Sequence, residues 1–106
     1  MENKPYRIRY TPLAADDLDE IDSYISDTLH SPDAAEQLLD KMEVSINQPK
    51  DFPLRGSEVE DVYLASKGYR KLVVDDHLIF HLLNKASPEV LIMRVQYGAR
   101  EYRSLL

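Results

Sequence analysis

The chain has 106 residues and no cysteine. That absence excludes thiolate catalysis, cysteine-based zinc sites and a disulfide framework, and it suits a reducing cytoplasm. Long apolar runs are missing as well. Nothing approaches the roughly 20 consecutive apolar residues of a membrane helix, and Met1 is followed by Glu2, Asn3 and Lys4 rather than by the apolar stretch of a secretory signal. There is no phosphate-cradling glycine loop, no Ser-His-Asp ordering and no HExxH or other metal spacing. Of the three histidines, His77 and His81 share a strand face but lie about 13 Å apart along it, too far to share a metal. No repeat or low-complexity segment is present. A soluble cytoplasmic protein of one domain, spanning residues 1–106, is expected, with no metal, cofactor or membrane partner. A chain of this length buries about two-thirds of its unfolded surface without such help.

What is present is a division of charge. Residues 11–66 hold fourteen acidic side chains against Lys41, Lys50 and Arg55, a net of −11. Residues 67–106 hold seven basic side chains against four acidic ones, a net of +3, and residues 1–10 add +2, giving the overall −6. The acidic part has helical periodicity and both basic parts read as strands. Concentrating cations on the sheet of an acidic domain points to a site for an anionic partner there or on the tail that follows.

Tyr6 to Tyr10 alternates in the period of a half-buried strand. Thr11-Pro12 is an N-cap followed by proline at the first helical position. Ala14, Leu18, Ile21, Ile25 and Leu29 form one helical face, so a helix is expected over about 12–29 with Asp16, Asp17, Asp19, Glu20 and Asp22 on its surface. Ser31-Pro32 repeats the cap signal. A second helix over about 32–48 buries Ala35, Leu38, Leu39, Met42 and Ile46, and Pro49 is expected to end it. The connector is so short that the two helices form an antiparallel hairpin. A loop follows to Gly56. A weak strand over 62–65 and good strands over 69–74, 77–83 and 90–95, joined by short turns, make antiparallel neighbours. Residues 97–106 read as a turn or helical tail. The expected architecture is α+β, an antiparallel sheet with a two-helix hairpin on one face, in the order β-α-α-β-β-β. Leu78, Phe80 and Leu82 oppose His77, Ile79, His81 and Leu83. In the last strand Leu91, Met93, Val95 and Tyr97 oppose Val90, Ile92, Arg94 and Gln96. Both sheet faces are thus partly apolar. One hairpin covers one face, leaving the other for the C-terminal tail or a separate chain.

Groups able to do chemistry cluster late: Arg70, Arg94, Tyr97, Arg100, Glu101 and Tyr102, with His77 and His81. Arginine suits a phosphate diester through paired N–H donors. RNA cleavage needs a base, an acid and cations around the phosphorane. Each of these residues also has an ordinary structural role, so the chemistry alone reaches no further than an anion site on the sheet.

The ordered set Tyr10-Thr11-Pro12-Leu13-Ala14, Asp17 to Ile21 with Tyr24-Ile25, Ser31-Pro32, Phe52-Pro53 before Gly56, Gly68 to Leu72, Arg94-Val95, Gly98 to Tyr102 and Leu105-Leu106 resembles the RelE/ParE superfamily of type II toxin–antitoxin toxins. The resemblance spans residues 6–106. It implies a growth-arresting toxin neutralised by a cognate antitoxin seated on the half-open second face. In the RelE-like branch, which cleaves mRNA on the ribosome, Arg70 and Arg100 would match the phosphate-stabilising arginines. Arg94 would help orient the phosphate, and Tyr97 or Tyr102 would match the aromatic that moves a proton. The ParE-like branch poisons DNA gyrase without those residues, and the long hairpin and Pro-x-Ala-Ala turn resemble it more. Lys67 stands alone before Tyr69 and Gln96 stands where some nucleases have histidine. The net charge of −6 opposes approach to ribosomal RNA, because phosphate contacts dominate such affinity. The expected function is therefore a toxin leaning to gyrase, with mRNA cleavage as the alternative and a degenerate, non-toxic binding module as a second.

Overall fold

The computed structural model describes residues 6–51 and 56–98. In chain order its elements are β1 (Arg7–Tyr10), α1 (Pro12–Ser23), a π-helical turn (Tyr24–Thr28), α2 (Pro32–Asp51), β2 (Ser57–Glu58), α3 (Val62–Ser66), β3 (Arg70–Val74), β4 (His77–Asn84) and β5 (Glu89–Tyr97). The strands form one sheet in the order β1-β5-β4-β3-β2. Pairs from β2 to β5 are antiparallel, as their short turns require, but β1 runs parallel to β5. The sheet is thus mixed rather than wholly antiparallel. No turn joins β1 to β5, so nothing forces the antiparallel sense on them.

Thr11 starts α1 as its sequence suggests, its hydroxyl accepting the Ala14 N–H at 3.1 Å. The hairpin of α1 and α2 buries Ala14, Leu38, Met42 and Ile46 against Leu72, Val74, Ile79, Val90, Ile92 and Val95. Two expectations along the hairpin change. The π-turn lengthens one helical turn by a residue, which rotates Leu29 off the apolar stripe and leaves it 51% exposed. Pro49 lies inside α2 rather than ending it. Its ring is fully buried, which offsets the hydrogen bond a proline cannot donate.

The segment expected as a strand over 62–65 is instead α3. The Asp61 carboxylate caps it by accepting the Leu64 N–H at 3.0 Å, and only Leu64 of its large side chains is buried, with Val62 82% exposed. A strand with one inward residue has little to hold it, whereas a capped helical turn needs only that one anchor. This turn supplies a cover for the second sheet face. Leu64, Val59 and Tyr69 pack on Phe80, with Leu78, Leu82 and Met93 at the margin. The second face is therefore partly closed by the chain itself, and the tail expected to cover it lies beyond the described residues. Gly56, at φ +91°, leads into β2 where an added Cβ would meet the Lys71 carbonyl oxygen at 2.4 Å, so this tight approach requires glycine.

Candidate functional site

The outer edge of β5 is shared between two covers. β1 pairs with its first half, Glu89 to Ile92. Beyond Ile92 the start of α1 takes over. The Thr11 N–H donates to the Ile92 carbonyl at 3.1 Å and its hydroxyl donates to the Met93 carbonyl at 2.9 Å. Asp17, one turn on, accepts the Val95 N–H at 2.9 Å. A helix cap and a carboxylate thus fill backbone positions that a longer strand would have filled, which protects the edge.

Met93 is also the site of a β-bulge. His81 pairs with Ile92 but Phe80 pairs with Arg94, leaving Met93 as the extra residue. The bulge breaks the alternation expected for the last strand. Val90, Ile92 and Val95 all reach the helix-covered core, because one inserted residue exchanges the faces beyond it. Arg94 accordingly shares a face with Phe80. From there it reaches Asp17 in a two-toothed pair, Nε to Oδ2 at 2.8 Å and Nη2 to Oδ1 at 2.9 Å. Burial alone would raise the Asp17 pKa. The Arg94 guanidinium, the Val95 N–H and Gln96 together outweigh burial and hold the carboxyl below its ordinary value.

Arg70 is elsewhere. It pairs in register with His81, the neighbour of Phe80 on β4, so Arg70 and Arg94 leave their strands on opposite sides, although the Arg94 guanidinium turns back to Asp17 on α1. The Arg70 Nη2 donates to the Gly56 carbonyl at 3.0 Å. Tyr97 does lie near Arg94, at the end of β5, with its ring edge-on to His77 at 5.8 Å between centroids. His81 is wholly buried. Arg100 and Tyr102, the remaining candidates, lie outside the described residues.

Arg94 and Tyr97 line one groove of about 570 Å³ between the C-terminal half of β5 and the end of α1 with its π-turn. Ile21, Tyr24, Ile25 and Leu29 make its apolar wall, His77 and Val95 face them, and Glu20 stands at the rim. Burial pulls the His77 pKa below its ordinary value, partly opposed by Asp76 and Asp75, and its Nδ1 is buried with no hydrogen-bond partner among the described residues. Among the described residues, no group of acidic, histidine or cysteine side chains is arranged to hold a metal ion, and no helix is long and apolar enough to cross a membrane.

Residues 8–102 match the family model for the ParE toxin of the type II toxin–antitoxin system parDE. The chain belongs to the ParE toxin family. No curated protein matches the sequence. Among solved structures, a chain of the chromosomal ParDE toxin–antitoxin system from P. aeruginosa superposes with a TM-score of 0.70 at 18% identity, over 90% of this chain and 98% of that one. A chain of the toxin–antitoxin complex RelBE2 from Mycobacterium tuberculosis superposes with a TM-score of 0.62 at 21% identity, over 93% and 98%. The α+β fold of a sheet with a helical hairpin is common to them.

One residue of the toxin's site escaped the sequence reading. Asp17 counted there as surface, yet it is only 6% exposed. A signal existed: Asp17 stands three residues after Ala14 and four before Ile21, within the stripe that faces the sheet. The π-turn and the bulge left no such mark.

Proposed function

We propose that this toxin of a type II toxin–antitoxin module arrests growth by disabling a protein target of the DNA gyrase kind, and that a cognate antitoxin neutralises it. The supporting observation is the divergence of the two strand arginines. Phosphodiester cleavage needs cations gathered round one phosphorane, whereas Arg70 is held to the Gly56 carbonyl beside β2 and Arg94 to Asp17 beside β5, with β4 and β3 between them in the sheet. Arg94 is in addition bound to Asp17, a carboxylate that repels a phosphate from the same position. The match to the ParE model and the net charge of −6 favour the same reading, since an acidic chain gains little from phosphate contacts.

Brief induction of the toxin alone, followed by an SOS reporter and by primer extension on abundant mRNAs, tests it. The expected result is double-strand DNA breaks and SOS induction with intact mRNA. New cuts at A-site codons would establish the nuclease instead. Unimpaired growth with soluble toxin present would make this chain a degenerate binding module.

A further inference from the structure

The groove between α1 and β5 has features that the target reading does not use. Tyr24, Leu29 and Tyr97 are 56%, 51% and 52% exposed and all three line it. Large apolar side chains scattered singly need no explanation, but three round one concavity are a docking feature. The π-turn is what places two of them there, and such turns recur at functional sites.

Charge decides what that occupant is. Among the described residues the lining contains one cation, Arg94, and it is ion-paired with Asp17 of the same lining. Glu20 at the rim is exposed, and so are Asp16, Asp19 and Asp22 beside it on α1. Lys41, the one basic residue of the helical hairpin before Pro49, is drawn away to Asp75 at 3.3 Å. An apolar slot beside an acidic helix is complementary to an apolar segment bearing cations along one flank.

We infer that the antitoxin of this toxin places such a cationic, apolar segment in the α1–β5 groove, and not on the second sheet face. The inference rests on the reading that an antitoxin partners the chain. Tyr24 and Leu29 clasp the apolar side chains, and Glu20 and the acidic flank of α1 select the cations. Anionic segments are rejected by the same flank, which gives discrimination among antitoxins.

The antitoxin encoded beside this chain, purified and titrated against the folded toxin, provides the probe. Tyr24→Ala and Glu20→Lys are expected to weaken binding at least tenfold, whereas Val73→Asp, on the second face, stays within twofold. Raising the salt concentration weakens the wild-type complex more than the Glu20→Lys complex. Thermal unfolding of each free variant separates lost contacts from lost fold. Equal affinity for the two groove variants and wild type, a large loss in Val73→Asp, or tighter binding by Glu20→Lys would each overturn the proposal. SOS induction by the free toxin is scored separately, so failure of the gyrase reading leaves the affinity result standing on its own.

Discussion

Asp17 accepts from both arms of Arg94 and from the Val95 N–H, so one carboxylate joins the first helix to the last strand. Removing one partner of a buried pair leaves the other charge uncompensated, a loss of about 3 kcal/mol or more. Asp17→Ala is expected to lose about that much in urea unfolding. The pair also sets an acid limit. The Asp17 pKa is lowered in the folded state, so its stabilisation is complete above the unfolded value of about 4 and is lost as pH falls through the lower folded value. Wild type should therefore lose stability over that acid range while Asp17→Ala stays flatter, and parallel pH profiles would contradict the assignment. At this scale the sequence was least legible. Arg94 has the chemistry of a phosphate ligand, and nothing local indicates that its partner lies 77 positions earlier.

The regular elements were the legible part. The Thr11 cap, the prolines that open both helices, the apolar stripe of α2 and the alternation of β4 recur in the fold because each is a strong local pattern. The irregular elements were not. β2 has two residues and α3 five, too few for either period to register. The bulge at Met93 and the π-turn at Tyr24 are single-residue insertions that only the tertiary pairing defines. α3 nevertheless has energetic weight, because Leu64 is its one deep anchor, 2% exposed. Leu64→Ala should cost about 3 kcal/mol, measured as a shifted denaturation midpoint. It should also raise dye binding to the uncovered face of Phe80 and Leu82. An unchanged midpoint would show that α3 rests on the sheet without stabilising it.

For the whole molecule, the division of charge has a different consequence from the one its sequence suggested. The cationic part does form the sheet, but its two strand arginines are held apart instead of converging, Arg70 at Gly56 beside β2 and Arg94 at Asp17 beside β5. The acidic hairpin, which composition alone marks as a solvated surface, supplies the floor, rim and apolar wall of the groove. The parallel placement of β1 makes this possible. By pairing only as far as Ile92, it leaves the rest of the β5 edge to α1, and the groove opens where the two meet.

The most direct test takes purified toxin, free of antitoxin, into two assays in parallel. One contains gyrase with supercoiled DNA and the other contains ribosomes translating a defined mRNA. Trapped gyrase cleavage complexes beside uncut message are the result expected of a toxin whose arginines diverge. Cut message beside fully active gyrase would contradict it.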